Sequence, residues 1–168
     1  MNRKGMFFRF AVAAILVAGL TLNAGVTQAD GIVALANGSG HIHVGSPPEL
    51  RTFAFTAQMD SEGTSRGQWE LINRSLDRRA HGNVDCLSVS GNVATVGGQV
   101  TEIDPSTPPN FVVGNFVLFQ VIDNGQGPDT PDEISLTFFF PTGSPNPGCT
   151  GFGVFANIPV EHGNITVH

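Results

Sequence analysis

The chain contains no tyrosine, and it has no lysine beyond residue 29. Charged residues are scarce, at 13% of 168, and from residue 30 onward five arginines face 14 acidic residues, a formal charge of −9 (5 − 14). Because few cations are available to displace phosphate counterions, this balance argues against nucleic acid and anionic membranes as partners. The one local concentration of cations, at Arg74, Arg78 and Arg79, is small and lies beside Asp77.

The sequence also lacks the motifs of common catalytic sites. No Gly-x-Ser-x-Gly elbow, phosphate-binding glycine loop or His-Glu-x-x-His occurs. A glycoside hydrolase would need two facing carboxylates, which acids such as Glu70, Asp85 and Glu102 supply only if the fold brings them together. Phenylalanine without tyrosine suits core packing better than a binding surface, where rings with a polar end are preferred. These absences favour a protein that is not an enzyme.

The first 29 residues have the pattern of a secretion signal. Their first nine residues carry three cations and no acid, and an apolar stretch follows from Phe10 to Leu22. That stretch is shorter than the roughly 20 residues of a membrane-spanning helix. Small residues at Thr27 and Ala29 predict cleavage after Ala29. We therefore expect a signal peptide over 1–29, a single domain over 30–168, and a secreted or extracytoplasmic protein without a stable membrane anchor.

The only two cysteines of the chain are Cys86 and Cys149. Outside the cytoplasm thiols are usually oxidised, so we expect the two to form a disulfide. Their separation is 63 residues (149 − 86). A disulfide that closes a loop of this length is expected to stabilise the fold by roughly 4 kcal/mol, because it restricts the unfolded chain. A catalytic thiol is the alternative, but Cys86 lies in an alternating strand pattern and Cys149 in a Gly/Pro-rich loop.

Alternating apolar and polar residues dominate the chain beyond the signal, and no window shows a helical stripe. Phe53 and Phe55 share one face of an expected strand, as do Trp69 and Leu71 on the next. Short strands separated by turn signals predict an all-β, antiparallel sandwich or barrel of about eight or nine strands. The expected strands are residues 40–44, 51–58, 67–73, 80–89, 93–103, 111–123, 133–140, 151–155 and 163–168.

Two features bear on how these strands are arranged. The first and last strands, GSGHIHV and GNITVH, look alike, which suggests that the two ends of the chain pair and close the sheet. The pair Gly97-Gly98 lies inside an expected strand, where glycines mark a bulge or the close approach of another backbone.

Four segments taken together resemble a known group of proteins. They are NGSGHI with the Phe-x-Phe strand that follows it, HGNVDCLSVSGNVATVGGQV, DNGQGPDTPDEISL and the terminal GNITVH. This combination is similar to a family of small secreted bacterial β-domain proteins without an assigned activity, and it covers most of residues 37–168. The resemblance implies a β fold and an export route, and it transfers no functional residue.

The acidic segment 123–133 is the strongest metal-site candidate in the sequence. It combines four carboxylates and the Asn124 amide with flexible glycines, and such oxygen ligands suit calcium. The spacing departs from the helix-loop-helix calcium pattern. An ordinary turn is the alternative, because Asp and Asn also bond to their own backbone in loops. The candidate calcium ligands are Asp123, Asn124, Asp129, Asp132 and Glu133.

His41 and His43 form a second candidate metal site. Residues two apart on a strand face the same side, so both imidazoles could bind one zinc or copper ion. A third ligand would come from His81, His162 or His168. The alternative is that both are polar residues on the solvent side of the strand.

Three functions follow from these observations. The first is a secreted, non-enzymatic interaction or structural domain that needs no cofactor, with an extracellular protein or glycan as its partner. The second is a calcium-dependent binding module that uses the 123–133 loop. The third is a hydrolase with a carboxylate pair.

Overall fold

The computed structural model describes residues 31–104, 112–125, 130–144, 146–153 and 155–168. The predicted signal peptide and Asp129 lie outside the described residues. The described chain forms strands of 3 to 13 residues joined by turns and loops. In chain order they are β1 (Ile32–Val44), β2 (Glu49–Asp60), β3 (Ser65–Asn73), β4 (Arg78–Asn83), β5 (Cys86–Ser90), β6 (Val93–Ile103), β7 (Phe116–Ile122), β8 (Glu133–Ser135), β9 (Phe138–Phe140), β10 (Asn157–Pro159) and β11 (His162–Val167).

The strands form one curled antiparallel sheet, a half-barrel. Nine strands follow one another in the order β10-β8-β7-β6-β4-β3-β2-β1-β11, while β5 pairs with β6 and β9 pairs with β7 beside this path. The predicted all-β class and antiparallel pairing are therefore confirmed. Among the described residues, no helix is long and apolar enough to cross a membrane.

The inner face of the half-barrel carries the core. Phe53, Phe55 and Trp69 are each at most 5% exposed, as their alternation predicts. Phe55 and Phe119 meet edge to face with ring centroids 5.5 Å apart, so β7 packs across the curl against β2. Burial of these rings removes apolar surface from water, and this holds the two sides of the sheet together.

The predicted strand 80–89 is divided in two. Strand β4 pairs with the C-terminal end of β6, whereas β5 pairs with its N-terminal half. The sheet bends between them, where a Cβ on Gly98 would lie 1.8 Å from the carbonyl oxygen of Asn83. The predicted close approach of a backbone at the glycine pair is confirmed, and it explains why one strand could not continue.

The other strand boundaries differ where turns interrupt apolar runs. Strand β7 begins at Phe116 rather than at 111, because Gly114 adopts a φ of +89° and Asn115 donates its N–H to the Val112 carbonyl. The expected strand 133–140 is split into β8 and β9. Strand β10 replaces the expected strand 151–155, whose described residues lie in a loop.

The two ends of the domain lie side by side. Strand β1 pairs with β11 from Ala36↔Val167 to His41↔His162, which confirms the predicted pairing of first and last strands. The bonds Leu35 N–H to His168 O (2.9 Å) and His168 N–H to Leu35 O (2.8 Å) extend this ladder.

Cys86 and Cys149 form the predicted disulfide, with Cα atoms 5.7 Å apart. The bridge joins β5 to the loop after β9 and packs in a small apolar cluster with Phe116 and Leu118. Such a bond is typical of proteins that fold in an oxidising environment.

Candidate functional site

The register of β1 to β4 places inward-facing residues in rows across the sheet. One row contains Gly40, Phe53, Leu71 and Ala80, and it forms an apolar floor. The next row toward the β1–β2 turn contains Ile42, Arg51, Asn73 and Arg78. Polar side chains therefore follow directly on apolar ones along the same inner face.

These rows line a cavity of about 350 Å³ at one end of the half-barrel. Ile42, Phe53 and Ala80, each at most 5% exposed, contribute to one side. The segment from β8 into β9 lines the other side with Ile134 and Phe139. Cavities of this size with mostly apolar walls and a few polar groups are typical of small-molecule sites.

Glu49, Arg51, Asn73 and Arg78 form the mouth cluster of this cavity. The carboxylate oxygen Oε2 of Glu49 accepts hydrogen bonds from Arg51 Nη2 at 3.0 Å and Asn73 Nδ2 at 2.7 Å. The bond from Arg51, then that from Asn73, holds the pKa of Glu49 below its ordinary value. Glu49 therefore remains ionised at neutral pH.

The two arginines of the mouth cluster retain unused donors. Arg51 Nε is buried and has no hydrogen-bond partner among the described residues. Within the same part of the chain, the half-buried Arg78 side chain makes no hydrogen bond or ion pair. Each guanidinium has five N–H donors, so the mouth cluster can donate further hydrogen bonds to an incoming acceptor.

Glu49 is the only acidic residue among the described residues that line the cavity. Glu70, one of the acids considered for hydrolysis, has its carboxylate paired with Arg79 instead. The pKa of Asp85 is raised by desolvation, but Asp85 does not line the cavity. Among the residues that the structure describes, the cavity thus contains no pair of facing carboxylates of the kind that glycoside hydrolysis requires.

Asp123 of the predicted calcium loop bonds to backbone amides. Its Oδ1 accepts the N–H of Gly125 at 2.9 Å, and its Oδ2 accepts the N–H of Val167 in β11 at 3.0 Å. The first is a local turn contact of the kind that Asp favours. The second reaches 44 residues along the chain and connects the loop after β7 to the last strand.

Asp132 makes the corresponding contacts from the other side of the loop. Its Oδ1 accepts the N–H of Asn124 at 2.9 Å, and its Oδ2 accepts that of Ile165 at 2.6 Å. Asn124 Nδ2 donates to the Pro131 carbonyl at 2.9 Å. The side chains of Asp123, Asn124 and Asp132 are thus engaged with the backbone, while Glu133 is a half-buried residue of β8.

The structure also places the predicted histidine pair. His41 and His43 lie on the outer face of β1, with ring centroids 6.5 Å apart. His162 lies opposite His41 at 4.8 Å between centroids, and His43 Nδ1 is 2.9 Å from the Glu161 carboxylate. No three or more His, Cys, Asp or Glu side chains within the described ranges are arranged to hold a metal ion. Both metal sites remain predictions.

Comparisons of the chain with models of protein families, with curated proteins and with solved structures found no match. The resemblance to small secreted bacterial β-domain proteins therefore remains a prediction from the sequence.

The cavity and its mouth cluster were not predicted from the sequence. The alternation of residues along the strands could have indicated both. Arg51 lies on the same face of its strand as Phe53 and Phe55, and Asn73 lies on the same face as Trp69 and Leu71. A polar residue at the end of an otherwise inward-facing apolar series indicates where the core opens to solvent.

Proposed function

We propose that the protein is a secreted, non-enzymatic binding domain that holds a small molecule in the cavity of its half-barrel. The observation that carries this proposal is the cavity itself, about 350 Å³ in volume, with apolar walls and a polar mouth. A dry cavity less than half that size suffices for benzene in an engineered protein. The space therefore suits a ligand larger than a single ring.

Two further observations support binding without catalysis. Glu49, the one carboxylate that the described part of the chain places at the cavity, is already bonded to Arg51 and Asn73. A general acid or base works best with a pKa near the operating pH, whereas the pKa of Glu49 is lowered. Export is supported by the signal-like residues 1–29 and by the Cys86–Cys149 bond.

Nile red, a neutral dye whose emission shifts to the blue in apolar surroundings, tests the cavity. Purified oxidised protein is titrated with the dye, and so are Ala80→Leu, which fills the cavity, and Val112→Leu as a matched control. Ala80 is 2% exposed and lines the cavity, whereas Val112 is 46% exposed and lies outside it. We expect the blue-shifted emission to persist in Val112→Leu and to fall several-fold in Ala80→Leu.

Circular dichroism establishes whether each variant is folded. Should Ala80→Leu unfold through overpacking, Leu71→Phe fills the same space from the neighbouring strand. Equal emission from the wild type and a folded cavity-filled variant would contradict the proposal, as would an absence of dye binding to the wild type.

A further inference from the structure

We infer that the ligand is amphipathic, with an apolar chain and an anionic carboxylate or phosphate head group held by the arginines of the mouth cluster. This inference rests on the proposed binding function and specifies its ligand. Five arginines occur beyond residue 29, and three of them, Arg51, Arg78 and Arg79, line this one cavity. In a domain with a net negative charge, such a concentration of cations selects for an anion at this position.

Arg51 supplies the first part of the anion site. Its ion pair joins Nη2 to Glu49, while Nε is buried without an acceptor among the described residues. A buried donor without a partner is costly to the folded protein. An anionic oxygen that enters the mouth and accepts from this guanidinium would remove that cost.

Arg78 supplies the second part. It lies opposite Asn73 on β4, in the same inward-facing row as Arg51. The charge of Arg78 contributes to the lowered pKa of Glu49, so it acts on the mouth cluster electrostatically. The charges of the two arginines and Glu49 leave this cluster with one net positive charge.

The third arginine is engaged elsewhere. Arg79 pairs with Glu70 on the outer face, so it forms part of the rim. The planar guanidinium groups of Arg51 and Arg78 match the geometry of carboxylate and phosphate oxygens. Below them, Phe53, Leu71 and Ile134 offer apolar walls to a hydrocarbon chain.

The test compares four probes that share a ten-carbon chain: decanoate, decyl phosphate, decanol and decyltrimethylammonium. Each is titrated into purified oxidised protein below its critical micelle concentration, or for decanol below its solubility limit, and displacement of Nile red is followed. Because charge-assisted hydrogen bonds are about twice as strong as neutral ones, we expect an anionic probe to bind roughly tenfold or more tightly than decanol. The cationic probe should bind most weakly.

Three arginine variants locate the head group. Arg78→Gln and Arg51→Gln should reduce the preference for the anion over decanol to less than about threefold, because each removes a cation from the mouth cluster. Arg66→Gln is the matched control, since Arg66 is exposed and lies outside the cavity. Decanol affinity reports whether the cavity of each variant remains intact.

Each outcome decides one question. Decanol binding as tightly as both anions would overturn the inference while leaving the proposed function standing. Failure of all four probes to displace the dye would contradict the proposed function itself. A preference for decyl phosphate over decanoate supports the anion site with a phosphate head group, and the reverse preference supports it with a carboxylate. An unchanged preference in both Arg51→Gln and Arg78→Gln would overturn the inference.

Discussion

The carboxylate of Asp132, a residue that is only 6% exposed, accepts the backbone N–H of Ile165 at 2.6 Å. Ile165 belongs to β11, whose opposite edge pairs with β1. Among the described strands β11 ends the sheet, so Asp132 occupies the position that a further strand would take, and Asp123 does the same for the N–H of Val167. Two side chains thus complete hydrogen bonds where the curled sheet is open.

This relationship predicts that Asp132 contributes strongly to stability. Replacing it by alanine leaves the N–H groups of Asn124 and Ile165 without their acceptor, which should cost about 2–3 kcal/mol. We expect thermal unfolding to begin roughly 5–15 °C lower in Asp132→Ala. Glu62→Gln serves as the control, because Glu62 is an exposed carboxylate in a turn. A midpoint within about 2 °C of the wild type would contradict the edge-capping role.

The same contacts lead to an expectation about calcium. The carboxylates of Asp123 and Asp132 already accept backbone amides at both of their oxygens. A metal would compete with these bonds, so we expect the unfolding midpoint in millimolar calcium and in excess chelator to agree closely. A ligand of the folded state raises that midpoint. A calcium-dependent rise of several degrees, lost in Asp129→Ala, would instead support the calcium-binding module.

The disulfide should contribute stability through the unfolded chain. Cys86 and Cys149 are 63 residues apart, and closing such a loop is worth about 4 kcal/mol. We expect reduction, or replacement of both cysteines by serine, to lower the unfolding midpoint by roughly 10 °C or more. Reductant has no disulfide to act on in the double-serine variant, which makes that variant the control. Equal midpoints of the oxidised and reduced wild type would contradict this expectation.

The mouth cluster predicts an acid-dependent loss of stability. The pKa of Glu49 is lowered from its ordinary 4.5, first by Arg51 and then by Asn73. The Glu49 carboxylate therefore binds a proton more readily in the unfolded chain than in the folded protein. The stabilisation that ionised Glu49 gives to the fold is present above pH 4.5, and it is lost as the pH falls through the pKa of Glu49 in the folded protein.

Urea unfolding of the wild type and Glu49→Gln between about pH 6 and about pH 3 measures this effect. At the upper end of this pH range we expect Glu49→Gln to have a lower free energy of unfolding than the wild type. The difference between the two proteins should shrink toward the acidic end. A difference that stays constant across the range would show that ionisation of Glu49 does not contribute.

Much of the fold follows from the sequence because alternation is a local property. The faces of β2 and β3 could be read from Phe53, Phe55 and Trp69, and their burial is as expected. The local sequence Ser90-Gly91-Asn92 is typical of a tight turn, and β5 and β6 pair as a hairpin around it. The division of 80–89 into two strands depends on the close approach of the Asn83 backbone to Gly98 of β6, and the alternation within 80–89 does not report that approach.

The candidate site is harder to predict because it depends on register across several strands. Arg51, Asn73 and Arg78 become neighbours only once β2, β3 and β4 are aligned. The acidic loop shows the same limit. Its composition suggests metal binding, whereas the use of Asp132 is decided by the distant Ile165. Composition identifies polar groups, and the tertiary structure determines what they bind.

The most direct test of the central claim is methyl NMR of isotopically labelled protein titrated with decanoate. We expect the signals of Ile42, Leu71 and Ile134, which line the cavity, to shift together and to saturate at one ligand per protein. Signals of Val33 and Val112, which lie outside it, should remain in place. Shifts confined to Val33 and Val112, or no saturable shift at all, would contradict a ligand site inside the half-barrel.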